Sequence, residues 1–70
     1  MNQISAKNLA RNVKKIRKER MLTSVQLSLL LGISQHAVSS IESGKGNPTL
    51  KTVDNISNCL KVPVSILLEP

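Results

Sequence analysis

The sequence contains no phenylalanine, tyrosine or tryptophan. Proteins that bind single-stranded nucleic acids usually stack the bases on aromatic side chains, and this chain has no residue that could do so. A core without aromatic rings must be built from leucine, isoleucine, valine, methionine and alanine. If the partner is a nucleic acid, the missing aromatic residues therefore favour a double-stranded one.

Cysteine and long apolar segments are scarce as well. Cys59 is the only cysteine, which excludes an intramolecular disulfide and favours a reducing compartment. We expect Cys59 to be a small residue in the core or at its boundary. No apolar run approaches the roughly 18 residues that a membrane-spanning helix needs, and the N-terminal residues lack the basic-then-apolar order of a signal peptide. These absences predict a cytoplasmic protein with no membrane partner.

Acidic residues are few compared with basic ones. Four Asp and Glu stand against ten Lys and Arg, which gives a formal net charge of +6. Such an excess on a small protein favours a polyanionic partner, although the same charge also serves solubility. One histidine, one cysteine and four acids offer neither a nucleophile–base pair nor a metal-ligand cluster. We therefore expect no enzymatic activity, no metal and no cofactor.

The apolar pattern predicts one all-α domain over residues 1–70, because a chain of this length has no room for a second core. A first helix should begin after Ser5 and end at about Glu19 or Arg20. A fourth helix should begin after a Thr49 cap, and a short fifth helix should follow it. The apolar residues that fall at helical spacing are Leu9, Val13 and Ile16, then Leu50, Val53, Ile56 and Leu60, then Val64, Leu67 and Leu68.

From Thr23 to Gly44 the sequence predicts two short helices joined by a tight turn. Thr23 suits an N-cap, and Gln26 three residues later completes a capping box. Of the five predicted helices these are the second and third. Gly32 ends the second helix because glycine adopts positive φ without strain, and Ser34 caps the third. The apolar residues of the third helix are Ala37, Val38 and Ile41. A helix with so narrow an apolar stripe offers its other faces to a partner, which is typical of a helix-turn-helix that enters the DNA major groove.

Three motifs mark the ends of these helices. They are Gly32-Ile33-Ser34 at the turn, Ile41-Glu42-Ser43-Gly44 at the end of the third helix, and Asn47-Pro48-Thr49 before the fourth helix. Together they resemble the phage-repressor and Cro-like (XRE-type) helix-turn-helix family, from about Leu9 to Leu68. The resemblance implies a compact five-helix bundle, as in lambda-repressor-like DNA-binding domains, that binds operator DNA as a dimer.

The resemblance also assigns roles to individual residues. The base-contacting residues are Gln35, His36, Ser39 and Ser40, and the phosphate-binding residues are Thr23, Ser24, Ser43, Lys45 and Asn47. The Gln35 amide suits the N6 and N7 edge of adenine, whereas His36 can donate to a guanine or a phosphate, depending on its tautomer. Arg17 and Glu42 match a structural ion pair that holds the recognition helix.

Some positions depart from the family's pattern. Many relatives have glutamine at the position of Ser24, and many have glycine at the position of Lys61. Val25, Leu29 and Leu30 occupy positions that are more often polar in relatives. These three side chains either enlarge the core or form a surface for a protein partner.

The residues and the resemblance together predict a sequence-specific, nucleoid-associated transcriptional regulator. We expect it to be a repressor that binds a palindromic operator as a homodimer, through Val64, Leu67 and Leu68 of the last helix. The alternative is a protein-interaction module, such as the antitoxin of a toxin–antitoxin pair. The residues that could serve it are Val25, Leu29 and Leu30 together with the C-terminal Ile66, Leu67 and Leu68.

Overall fold

The computed structural model describes residues 4–70, which form five helices and no strand. In chain order the helices are α1 (Ala6–Glu19), α2 (Ser24–Leu31), α3 (Gln35–Glu42), α4 (Leu50–Leu60) and α5 (Val64–Leu67). The long helix α1 packs against α3 and α5, α2 packs against α3 and α4, and α4 also contacts α5. The predicted all-α, five-helix architecture is confirmed.

Hydroxyl side chains begin the first four helices, as the sequence predicts. Each one accepts a hydrogen bond from the backbone N–H three residues later, at a distance between 3.0 and 3.2 Å. The capping residues are Ser5, Thr23, Ser34 and Thr49. These bonds satisfy backbone donors that a helix start otherwise leaves unpaired, so they fix where α2 and α3 begin.

Aliphatic side chains from all five helices form the core. The buried apolar residues of its main cluster are Leu9, Val13 and Ile16 from α1, Leu27 and Leu31 from α2, Val38 from α3, Val53, Ile56 and Leu60 from α4, and Leu67 from α5. Cys59 is half-buried at the edge of this cluster, as its predicted boundary position requires.

Leu50 corrects the predicted core. Its spacing places it with the apolar residues of α4, but its side chain is 62% exposed. At about 100° per residue, Leu50 points roughly 90° away from the mean direction of Val53, Ile56 and Leu60. The helix packs through those three residues, so Leu50 faces solvent.

Leu67 corrects the predicted dimer contact. Its side chain is fully buried, because α5 packs against both α1 and α4. The amide of Asn12 on α1 donates to the carbonyls of Leu67 and Glu69 at 2.9 and 2.8 Å, and the guanidinium of Arg11 donates to the Glu69 carbonyl at 2.7 Å. Leu67 is therefore a core residue and cannot contact a second chain while α5 is packed.

The turn after α4 places a lysine in a left-handed backbone conformation. Lys61 has φ = 56°, and its N–H donates to the Ser57 carbonyl as the chain leaves the helix. The Cβ of a non-glycine residue is strained in this region, at a cost of roughly 1–2 kcal/mol. The departure from the family's glycine therefore leaves the turn in place and adds strain to it.

Replacing Lys61 with glycine should raise the free energy of unfolding by about 0.5–1 kcal/mol. Removal of the strained Cβ gains about 1–2 kcal/mol, and the greater backbone freedom of glycine in the unfolded chain offsets part of that gain. Urea denaturation followed by circular dichroism measures the change. Lys51→Gly is the matched control, since Lys51 is an exposed lysine within α4, where glycine is expected to destabilise. Equal effects of the two substitutions would contradict strain at Lys61.

Candidate nucleic-acid interface

The turn between α2 and α3 sets the angle between the two helices. Gly32 has φ = 70°, and its N–H donates to the Leu29 carbonyl at 3.3 Å. The next N–H, that of Ile33, donates to the Ser28 carbonyl at 3.0 Å. Only glycine adopts this left-handed conformation without strain, so the chain can reverse here and begin α3 at the Ser34 cap.

One narrow stripe holds α3 against the bundle. Val38 is buried, while Ala37 and Ile41 are half-buried. The four predicted base-contacting residues are all exposed, namely Gln35, His36, Ser39 and Ser40. An α-helix with its side chains is about 10–12 Å in diameter, and the DNA major groove is about 12 Å wide. The polar face of α3 is therefore accessible and has the dimensions of a groove-binding helix.

A hydrogen bond joins the start of α2 to the start of α3. The Nε2 atom of Gln35 donates to the Ser24 hydroxyl over 3.4 Å, so serine still provides a link at the position where relatives often carry glutamine. An amide nitrogen has two hydrogens. Donation to Ser24 therefore leaves one amide hydrogen and the Oε1 atom of Gln35 available for a two-point contact with adenine, which donates through N6 and accepts at N7.

The predicted phosphate-binding residues lie at the start of α2 and in the segment after α3. Thr23 is exposed and Ser24 half-buried at the first position, and Lys45 and Asn47 are exposed at the second. Ser43 is exposed too, but its hydroxyl donates to the Ser40 carbonyl at 3.0 Å and its N–H donates to the Ser39 carbonyl. In this conformation Ser43 has no donor left for a phosphate.

Arg17 and Glu42 form a two-point ion pair between α1 and the end of α3. The Nε–Oε2 distance is 2.7 Å and the Nη2–Oε1 distance is 3.0 Å. The remaining Nη1 donates to the Leu22 carbonyl at 2.9 Å, so one guanidinium connects α1, the entry to α2 and α3. The two side chains are only 14% and 11% exposed, and each guanidinium nitrogen of Arg17 donates a hydrogen bond within the protein.

The hydrogen bonds that Arg17 donates to the Glu42 carboxylate raise the pKa of Arg17 above its ordinary value, although partial burial opposes this shift. A raised pKa in the folded state adds stability that is fully present below the unfolded-state pKa and is lost only as the pH rises through the folded-state value. Arg17 therefore remains charged at neutral pH and continues to supply the positive member of the ion pair.

The outer face of α2 is apolar and exposed. Val25, Leu29 and Leu30 are 46%, 77% and 48% exposed, so they form a surface and do not enlarge the core. Met21 in the preceding turn is 88% exposed with φ = 58°. The exposed position of Met21 was not predicted, because nothing in the local sequence indicates a left-handed turn there.

Within residues 4–70, no three histidine, cysteine, aspartate or glutamate side chains are grouped as metal ligands. Over the same residues, every helix is too short or too polar to span a bilayer.

Glu42→Gln should lower the free energy of unfolding by about 2–4 kcal/mol, because it leaves the shielded Arg17 charge without its carboxylate. Thermal and urea denaturation measure the loss. Glu19→Gln is the matched control: Glu19 is exposed, and its replacement should change stability by less than about 0.5 kcal/mol. A loss at Glu42 no larger than at Glu19 would show that the ion pair does not hold α3 in place.

Comparison with known proteins places these features in a family. A family model described as helix-turn-helix (HTH_3) matches residues 13–67. The chain is 41% identical over 58 residues to YqaE of Bacillus subtilis, an uncharacterized HTH-type transcriptional regulator, covering 83% of this chain and 50% of YqaE. It is 35% identical over 60 residues to the immunity repressor protein of Bacillus phage phi105, covering 86% of this chain and 42% of the repressor. The chain thus spans half or less of the length of these two relatives.

The fold is shared with solved structures. A hypothetical transcription factor from Neisseria, NHTF, superposes with a TM-score of 0.88 at 24% identity, covering 94% of this chain and 76% of that one. At this identity the similarity supports the fold alone. The family match covers most of the chain, and we conclude that the chain belongs to the helix-turn-helix (HTH_3) family.

Proposed function

We propose that this chain is the sequence-specific, double-stranded DNA-binding domain of a transcriptional repressor. The exposed polar face of α3, which the Arg17–Glu42 pair holds at a fixed angle, is the observation that carries the proposal. The descriptions of two relatives, a transcriptional regulator and an immunity repressor, support it. Repression follows if the bound protein covers a promoter and excludes the polymerase.

Base recognition falls mainly to Gln35 and His36 at the start of α3. Gln35 accepts from N6 and donates to N7 of an adenine while Ser24 holds its amide nitrogen. His36 donates to a guanine or to a phosphate. Ser39 and Ser40 lie farther along the same helix, and their short side chains specify less.

Phosphate contacts orient the domain without specifying sequence. Thr23 and Ser24 bind the DNA phosphate backbone on one side of the recognition helix, and Lys45 and Asn47 bind it on the other. Ser43 joins them only if its hydroxyl releases the Ser40 carbonyl. A dimer that makes roughly 6–10 phosphate contacts loses affinity steeply as the salt concentration rises, because each contact releases a counterion.

A homodimer would bind a near-palindromic operator whose half-site centres lie about 34 Å apart. With Leu67 buried, the apolar side chains of α5 and its C-cap that remain for a second chain are Val64, Ile66 and Leu68. Ile66 is 40% exposed, and the other two are half-buried.

Selection of bound fragments from random duplex DNA tests the main proposal and supplies the operator. Gln35→Ala should then weaken binding to the selected duplex by about 5- to 150-fold, the equivalent of 1–3 kcal/mol, and relax the preference at one base pair. Fluorescence anisotropy with a labelled duplex measures both effects.

Asn58→Ala is the control for this substitution, because Asn58 is an exposed residue with a side-chain amide on α4, outside both the predicted DNA interface and the predicted dimer contact. Unchanged affinity of a folded Gln35→Ala variant would refute a base contact by this residue. Failure of the selection to return any preferred sequence would refute sequence-specific binding.

A second candidate function is protein binding through α2, as in an antitoxin. The observation in its favour is the exposure of Met21, Val25, Leu29 and Leu30. Val25 and Leu29 lie one turn apart on the same side of the helix. Apolar side chains exposed in this way are typical of protein contacts.

Ile66→Glu should weaken self-association at least about tenfold, because an interface on α5 would bury an unpaired carboxylate. Sedimentation equilibrium measures the dissociation constant. Leu29→Glu introduces the same charge at an exposed leucine on α2 and should leave the dimer intact. The reverse result, dissociation by Leu29→Glu alone, would place the contact between copies on α2.

A further inference from the structure

The helix-turn-helix from Thr23 to Gly44 contains no lysine and no arginine. Its single acid, Glu42, is already paired with Arg17. Lysine and arginine contacts to phosphates supply most of the sequence-independent affinity of DNA-binding proteins. The cations that attract the duplex must therefore lie outside the helix-turn-helix.

Most of the positive charge lies on α1 and just beyond its end. Its exposed basic residues are Lys7, Arg11, Lys14, Lys15, Lys18 and Arg20. Arg11 already donates to the Glu69 carbonyl at 2.7 Å. At about 1.5 Å per residue, Lys14 and Lys18 lie roughly 10 and 16 Å beyond Lys7 along the helix axis.

The first turn of α1 meets the end of α3. Gly44, with φ = 74°, passes so close to α1 that a Cβ atom at this position would lie 3.7 Å from the Lys7 Cα and 3.8 Å from the Ala6 carbonyl oxygen. The residue after Gly44 is Lys45. The chain therefore brings the backbone of Lys7 near the backbone of Lys45, although the two are 38 positions apart in the sequence.

A groove confirms that these elements share one surface. Its volume is about 400 Å³, and it is bounded by Ala6 of α1, Ser40 of α3, and Lys45 and Asn47 of the following loop. Ser40 is a predicted base-contacting residue, and Lys45 and Asn47 are predicted phosphate-binding residues. The first turn of α1 thus borders the face that would meet DNA.

We propose that Lys7 binds a DNA phosphate beside the one bound by Lys45, so that the interface extends from the helix-turn-helix onto α1. The inference rests on the proposed DNA-binding function. It assigns Lys7 to backbone contact only, because an ammonium group on a flexible stem provides charge without reading a base edge. Lys14 and Lys18, on the same exposed side of α1 but farther from Gly44, contribute only to the general field of the protein.

Lys7→Gln should reduce the slope of log K against log salt by about 0.9 per bound protomer, the value expected for one lost phosphate contact. The probe is a labelled duplex from the random selection, titrated by fluorescence anisotropy at several salt concentrations. Lys45→Gln should give a similar reduction, and the double variant should give about twice the reduction of either one. The preference among base pairs should not change.

Lys18→Gln is the matched control, since it removes the same charge from an exposed position on α1. It should leave the slope nearly unchanged, and thermal denaturation should show all variants folded. If Lys7→Gln and Lys18→Gln alter the slope equally, the effect is that of net charge and the inference fails while DNA binding stands. If the unsubstituted protein binds no duplex, the proposed function itself fails.

Discussion

The contact between Arg17 and Glu42 is the interaction on which the orientation of the candidate site depends. Helix α3 has eight residues, of which only Val38 is fully buried, and a helix this short is unstable in isolation. Apolar packing through so small an area resists rotation of the helix poorly. The two-point geometry of the ion pair adds a directional restraint at the far end of α3, and the bond from Arg17 to the Leu22 carbonyl connects it to the entry of α2.

Local signals in the sequence predicted the helix boundaries well, because a cap involves residues only three positions apart. The hydroxyls of Ser5, Thr23, Ser34 and Thr49 and the turn at Gly32 are of this kind. The predictions that failed depend on distant neighbours. Leu50 and Leu67 are both leucines at helical spacing, yet α4 leaves one in solvent and α1 and α4 bury the other. The hydrogen bond from the Ser43 hydroxyl to the Ser40 carbonyl likewise depends on the folded conformation of the loop and is not evident from the sequence.

In the proposed function, specificity and attraction belong to different parts of the molecule. The exposed polar face of α3 carries no lysine, arginine, aspartate or glutamate, so it can discriminate bases through hydrogen bonds without binding every duplex tightly. The positive charge that would attract the phosphate backbone in the proposed function lies on α1 and in the loop after α3. Substitutions on α1 could therefore adjust overall affinity while leaving the preferred sequence intact.

The bond between Ser24 and Gln35 bears on the conformational entropy of recognition. A glutamine side chain loses about 1.5–2 kcal/mol of rotamer freedom when it is fully immobilised. Part of that loss occurs already in the folded, unbound domain, because the Ser24 hydroxyl limits where the amide can point. At 3.4 Å the bond is long, so it reduces the range of rotamers that Gln35 samples without fixing the side chain in one of them.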